Sequence, residues 1–175
     1  MTLQTCMKHI KFPKRKSPRL KSWNYSQPHW YFVTICTADH INYFGDIKNG
    51  KVVHNNLGLY AEECLKSISD HYKNVEVDYY VIMPNHIHAI IIINDVGLRH
   101  ASTLRKISLG NVIGSLKSAI SKWAHTNGFT NFKWQRSFYD RIIRNEKELY
   151  QIRKYIVQNP LAWELDKTLP ENLEL

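Results

Sequence analysis

The stretch from residue 75 to residue 93 is rich in apolar, β-branched and aromatic residues and is divided by the turn Met83-Pro84-Asn85. Residues 75–83 read as one long strand, and the tight Pro84-Asn85 connection sends the chain back as a second, so the pair forms a central hairpin. The run 89–93 is continuously apolar, which suits an interior strand of a covered sheet better than a solvated edge. Upstream, 29–37 is rich in aromatic and β-branched residues (Trp30, Tyr31, Phe32, Val33, Thr34, Ile35) and predicts a first strand. The stretch 44–58 is turn-rich, with Gly45, Asn49-Gly50 and Gly58, and 51–54 fits a short hairpin arm. Helical spacing follows over 59–71, where Leu65 and Ile68 share a side with Ala61 and Cys64.

Residues 94–108 form a polar, basic loop containing Arg99, His100, Arg105 and Lys106, suited to a linker or to a nucleic-acid-facing loop. From 109 to 123 the residues Leu109, Val112, Ile113, Leu116, Ile120 and Trp123 recur at steps of three and four, which predicts a second packing helix with Lys117 and Lys122 off its stripe. Residues 132–143 read as a further strand or extended segment around Trp134 and Phe138. Asn145 is placed to cap a last helix over 146–158, with Leu149, Ile152 and Ile156 as its apolar stripe. The order strand, helix, strand, strand, helix, strand is that of an α+β fold, a ferredoxin-like or RRM-type antiparallel sheet with helices on one face. The last helix is an addition to that plan. No repeat or heptad array is present.

Composition adds a charge argument. The 175 residues suffice for one core, assigned to 29–163, with a basic arm over 1–28 and a short acidic tail over 164–175. Twenty-four Lys and Arg against 15 Asp and Glu give a formal charge of +9, which points to a polyanionic partner. Residues 1–38 contain no carboxylate side chain, while Lys8, Lys11, Lys14, Arg15, Lys16, Arg19 and Lys21 crowd one arm. That arm reads as a phosphate-contacting segment, with a solvated terminus as the plainer alternative. The start lacks the apolar core of a secretory signal, and no apolar run approaches the roughly 20 residues of a membrane span. Cys6, Cys36 and Cys64 show no CxxC spacing, so a reducing, cytoplasmic setting without cysteine-bound zinc is expected.

Candidate chemistry centres on His86 and His88. Side chains of a strand alternate, so these two imidazoles leave one face while Ile87 points away, and a rigid strand can aim them at one metal ion. Taken alone, such a pair also fits ordinary hydrogen-bonded histidines. On the last helix, at 100° per residue, Glu148, Tyr155 and Asn159 cluster beside the apolar stripe. The Asn159 amide oxygen can supply a third ligand, although its place before Pro160 biases it away from helical dihedrals and predicts the helix end there. Two histidines and an amide leave positions open for substrate oxygens, which favours Mg²⁺ or Mn²⁺ acting on a phosphate over a closed zinc site. A free tyrosine, with a pKa of about 10, needs such help to attack. Tyr79 and Tyr80 lie in an expected core strand and Tyr150 on another helix face, which leaves Tyr139 as runner-up to Tyr155. Trp23, Tyr25 and Trp30 could stack on unpaired bases. Arg136, Arg141 and Arg144 could contact phosphates, and Lys117 has the best claim among the basic residues. His29, His71, His100 and His125 show no ligand spacing.

Several segments taken in order carry a family resemblance: Ser26-Gln27-Pro28; Tyr31-Phe32-Val33-Thr34-Ile35-Cys36-Thr37; Tyr79-Tyr80-Val81-Ile82-Met83-Pro84-Asn85-His86-Ile87-His88; Ile113-Gly114-Ser115-Leu116-Lys117-Ser118; Trp134-Gln135-Arg136-Ser137-Phe138-Tyr139-Asp140; and Tyr155-Ile156-Val157-Gln158-Asn159-Pro160. The chain resembles, over residues 19–161, the REP-associated tyrosine transposases, relatives of the single-strand insertion-sequence transposases within the HUH nuclease superfamily. The resemblance implies cleavage and joining of single-stranded DNA near palindromic hairpins through a 5′-phosphotyrosine. It implies Tyr155 as nucleophile and His86, His88 and Asn159 as metal ligands, for which Mg²⁺ or Mn²⁺ is expected, while the charge pattern points to DNA contacts from Lys14, Arg15, Lys16, Arg19, Lys117 and Arg136. The tail after Trp163 is short and acidic, so contacts that longer relatives make there are not implied. A nonenzymatic RRM-like nucleic-acid module and a replication initiator or relaxase of the same superfamily are the alternatives. The chain is read as working as a monomer or a homodimer.

Overall fold

The computed structural model describes residues 20, 22–95 and 107–168. Strand β1 is His29–Cys36; β2, Gly45–Lys48, and β3, Lys51–His54, form a separate hairpin; β4 is Val75–Met83, β5 His86–Ile93 and β6 Tyr139–Ile143. Helices are α1, Asn56–Lys66; the short α2, Ile68–His71; α3, Leu109–Thr126; and α4, Glu146–Thr168. Four strands make one antiparallel sheet in the order β4-β5-β1-β6. With the β2–β3 hairpin set aside as an insertion, this is the ferredoxin-like arrangement that the element order predicts.

The register assigns every side chain to a face. Tyr31, Val33 and Ile35 of β1 and Ile87, Ala89, Ile91 and Ile93 of β5 turn to the side covered by α1 and α3, where they join Leu57, Leu65, Val112, Leu116 and Ile120 in the main core. The opposite side holds a smaller cluster in which Leu149, Ile152 and Ile156 of α4 pack on Phe32, Ile90 and Ile143. His86 and His88 lie on this second side, so the added helix and the histidine pair share one face.

Local chemistry explains the element ends. Asn55 caps α1 by accepting from Gly58 N at 3.0 Å, and α1 therefore begins three residues before the expected Leu59 and ends at Lys66, leaving Ile68–His71 as a separate turn. Asn49 and Gly50 have φ of 52° and 67°, the two left-handed residues of a type I′ hairpin turn. The strand expected over 132–143 is confined to Tyr139–Ile143. The Lys117 ammonium draws the carbonyls of Gln135 and Arg136 toward α3, and Trp134 bridges Thr37 where unbroken register would put Arg136.

The largest correction concerns α4. The helix does not end near Gln158 but continues through Pro160 to Thr168. Proline removes one backbone hydrogen bond and disfavours the turn before it. Tertiary contacts outweigh that: Pro160 and Asn159 are buried, the Trp163 ring lies 5.6 Å from that of His86, and Glu164 accepts from Gly50 N on the β2–β3 turn.

Candidate functional site

The site is built on the strand ends nearest the β4–β5 turn. His88 faces Thr34 across the β1–β5 ladder and Val81 across β4, while His86 faces Cys36 and Met83. Both histidines are buried, at 2% and 0% exposure, so each polar ring atom needs a partner. His86 Nδ1 meets Asn85 Oδ1 at 2.7 Å, and His88 Nδ1 meets Thr34 Oγ1 at 2.9 Å. The two Nε2 atoms face each other at 3.1 Å.

These partners set the tautomers. Asn85 Nδ2 donates to the His40 carbonyl at 2.9 Å, which leaves Oδ1, an acceptor only, pointing at His86. His86 therefore carries its proton on Nδ1 and presents a lone pair at Nε2. The Thr34 hydroxyl can donate or accept, so His88 is free to hold its proton on either nitrogen. When Nδ1 of His88 donates to Thr34, two lone pairs point into the same space, which is the arrangement a shared cation needs.

Burial lowers the pKa of both histidines. That of His86 is pushed down to about 3, chiefly by desolvation with a smaller contribution from His40, and that of His88 is held well below the usual histidine value by burial and then by His86. Both rings are neutral at physiological pH, the state that ligates metal.

Helix α4 delivers the third component. The Tyr155 hydroxyl lies 3.2 Å from His88 Nε2, its ring edge-on to Phe32 and 5.2 Å from the His88 ring. Asn159 sits one turn further on, flanked by Tyr155 against His88 and Trp163 against His86, and is buried at 1% exposure. The expected Tyr155 and Asn159 thus come to the same sheet face as His86 and His88. Among the described residues no three His, Cys, Asp or Glu side chains group as a metal site, and Asn159 on α4 offers an amide oxygen on the face that carries the histidines. The donor set of two imidazoles and Asn159 fits a hard divalent ion with open positions.

The pose of α4 is held from its other edge. A bulge in β4 between Val77 and Tyr80 brings Asp78 to Arg153, which donates from Nε at 2.7 Å and from a terminal nitrogen at 2.9 Å. The same guanidinium lies over the rings of Trp30 and Tyr79. Tyr79 is 42% exposed, whereas Tyr80 packs against the main core and donates to Glu62 at 2.9 Å, so of the two only Tyr80 has the core environment expected. Tyr139, 42% exposed, pairs with Thr34 and so lies on the histidine face.

Of the expected DNA contacts, Lys117 and Arg136 fall among the described residues. Lys14, Arg15, Lys16 and Arg19 are outside the described residues, as are the loop cations Arg99, His100, Arg105 and Lys106. Lys117 and the exposed Arg136 belong to the α3 side, where Lys117 Nζ donates to Gln135 O at 2.7 Å. Thr34, Asn85, His40, Arg153 and Trp163 were not found from the sequence as site residues. Thr34 had a usable signal, because pairing the first strand with the histidine strand puts a hydroxyl beside one imidazole.

The comparisons agree with this architecture. A solved REP-associated tyrosine transposase bound to a REP hairpin matches with a TM-score of 0.60 over 83% of this chain and 74% of that chain, at 16% identity. The chain therefore has the fold of the REP-associated tyrosine transposases. An uncharacterized protein of Haemophilus influenzae is 38% identical over 165 residues, covering 87% of this chain and 92% of the relative. The chain belongs to one family with that protein. No family model matches the chain. No helix among the described residues is long and apolar enough to cross a membrane.

Proposed function

We propose that the protein is a transposase-type enzyme that cleaves and rejoins single-stranded DNA beside palindromic hairpins, with Tyr155 as nucleophile. His86, His88 and Asn159 would hold Mg²⁺ or Mn²⁺. The observation that carries this reading is the placement of the Tyr155 hydroxyl 3.2 Å from His88 Nε2, itself 3.1 Å from His86 Nε2. The fold of a transposase bound to a hairpin supports DNA of that shape as the partner.

The phenol gives up its proton and its oxygen attacks phosphorus, the bond to the 3′-oxygen breaks, and that oxygen takes up a proton, so the products are a 5′-phosphotyrosine and a free 3′-hydroxyl. One phosphodiester is exchanged for another, so a second 3′-hydroxyl can reverse the step without nucleotide hydrolysis. When bound, the cation supplies Lewis-acid polarisation of the scissile phosphate. Were both imidazoles to ligate a cation, the Tyr155 hydroxyl would give up its contact with His88 Nε2 and could turn to a phosphate. Arg153 and the apolar stripe of α4 keep that oxygen in place, which supplies the positioning part of catalysis.

The test is incubation of the full chain with labelled single-stranded hairpin DNA, with and without Mg²⁺ or Mn²⁺, followed by denaturing electrophoresis. A denaturation-resistant protein–DNA adduct forms with wild-type protein and metal, and Tyr155→Phe loses it while still binding DNA. An adduct that survives Tyr155→Phe and disappears in Tyr139→Phe moves the nucleophile to Tyr139. An adduct absent from the wild type, with binding intact, favours the nonenzymatic module.

A further inference from the structure

The apolar stripe that seats α4 on the sheet stops short of the amide assigned to the cation. Leu149, Ile152 and Ile156 are the α4 members of the second core cluster, and Asn159 lies three residues beyond the last of them. Pro160 follows at once. It has no N–H to offer the Ile156 carbonyl, and its ring disfavours helical dihedrals at Asn159, so the helix is locally weakest between the phenol and the amide. Asn159 is nonetheless helical and buried. Its place is therefore fixed from the far side of the proline.

The β2–β3 hairpin reaches that far side. At its tip the Gly50 N–H donates to the Glu164 carboxylate, and Gly50 also lies against Leu161. The approach is close: a Cβ on Gly50 would stand 3.2 Å from Leu161 Cδ1. The base of the hairpin is tied instead to the histidine turn. Tyr43 N and Phe44 N, just before β2, donate to the Pro84 carbonyl at 2.9 and 3.0 Å, and His54 Nε2, at the end of β3, donates to Ile82 O at 3.0 Å. The hairpin thus runs as a strut from the turn that leads into His86 to the part of α4 beyond Asn159. It is also the piece of the fold that the ferredoxin-like plan does not require.

We infer that the β2–β3 hairpin positions Asn159 as a cation ligand relative to His86 and His88, acting through the hydrogen bond from Gly50 to Glu164. Glu164 is on this reading a positioning residue. A bond from a backbone N–H to a carboxylate fixes its partner in both distance and direction. The Trp163 ring beside His86 covers the same stretch of helix, but an aromatic contact at 5.6 Å between centroids tolerates sliding and cannot set an amide oxygen by itself. The inference rests on the proposed ligand set and deepens it by naming what holds the third ligand. It also gives the helix beyond Pro160 a purpose: that segment adds no residue to the α4 core stripe, yet it carries the contact that keeps the turn before it in register.

The experiment titrates Mn²⁺ into the full chain by calorimetry, without DNA and well below the Tm recorded for each variant. Glu164→Ala should weaken Mn²⁺ binding by about tenfold, the lower end of the range for groups that orient metal ligands. Glu164→Gln keeps a carbonyl oxygen for the Gly50 N–H and should restore most of that loss. Asn159→Ala supplies a background in which the hairpin has no ligand left to place, so Glu164→Ala added to it should weaken binding no further. A hairpin that only stabilises the fold lowers Tm in Glu164→Ala and leaves the dissociation constant unchanged, or weakens binding equally in both backgrounds, and either result overturns the inference. Failure of the underlying ligand set reads differently: Asn159→Ala then binds Mn²⁺ as the wild type does, or the wild type binds none, and the inference falls with it. A weakened Asn159→Ala beside an unchanged Glu164→Ala strikes the role of the hairpin alone.

Discussion

The two faces of strand β5 differ by one residue of register and by everything the covering helices supply. Ile87, Ala89, Ile91 and Ile93 on one face and His86 and His88 on the other are equally removed from water. On the first face α1 and α3 add more apolar surface, and burial is stabilising in itself. On the second, burial would cost several kcal/mol for each unpartnered polar group, and Thr34, Asn85 and Tyr155 remove that cost one ring nitrogen at a time. Depth of burial thus does not separate structural from chemical residues in this sheet. What separates them is whether the covering element brings donors and acceptors.

The sharpest way to break the comparison is to remove one side chain from each face. Ile91→Ala leaves a cavity under α1 and α3 and should lower the unfolding free energy by about 2–5 kcal/mol. Tyr155→Phe deletes one hydroxyl from a half-buried ring and should cost under about 1.5 kcal/mol. Urea unfolding curves check both values. Equal losses would show that α4 is packed as a structural element and that its tyrosine hydroxyl is held for stability.

How much of this contrast the sequence reveals depends on the reach of the forces involved. The strands over 75–83 and 86–93 and helix α3 are legible because their apolar periodicity is long and local. His86, His88 and Tyr155 are legible as residue types at telling positions. The course of α4 past Pro160 is not, because the local bias against helix before proline is overturned by Trp163 meeting His86 and Glu164 meeting the Gly50 turn, partners more than 70 residues away in sequence. The shortening of β6 is hidden for the same reason: Lys117 on α3 takes the carbonyls that a longer strand would have paired. Asn85 reads as a turn residue, and only the His40 carbonyl beside it shows that its amide orientation is fixed.

Acid gives a second, smaller contrast. His86 and His88 are neutral when folded, with pKa values lowered by burial, and ordinary histidines near 6.5 when unfolded. The unfolded state therefore binds more protons below pH 6.5, and stability falls as pH drops through that value toward the folded pKa of His86 at about 3. Each histidine approaches a slope of about 1.4 kcal/mol per pH unit only below its unfolded pKa, so metal-free protein should lose about 2 kcal/mol between pH 6.5 and 5.5. Tm measured across that interval, with and without Mn²⁺, checks the sign. Metal should raise Tm by a similar amount at both ends of the interval, since the folded rings it binds are neutral throughout. A flat Tm profile in the metal-free protein would mean that the rings reach water in solution.

The finest test asks what Asn85 does beyond forming a turn. Its amide is oriented by the His40 carbonyl and in turn fixes the proton of His86 on Nδ1, so its removal should leave the histidines in place with the tautomer unspecified. Partners of metal-bound histidines of this kind are worth about tenfold to a hundredfold in affinity. Asn85→Ala should therefore weaken Mn²⁺ binding by about that factor in a titration that needs no DNA and no turnover. Asn85→Asp keeps an acceptor for His86 but sets a carboxylate oxygen against the His40 carbonyl, so it should unsettle the β4–β5 turn while preserving the Nδ1–H tautomer in the ¹⁵N spectrum of the imidazole. A turn-forming role alone would lower Tm in both variants and leave the dissociation constant and the tautomer unchanged. A loss of the Nδ1–H signal in Asn85→Ala, retained in Asn85→Asp, would trace the direction of the His86 lone pair to a backbone carbonyl two residues removed from any ligand atom.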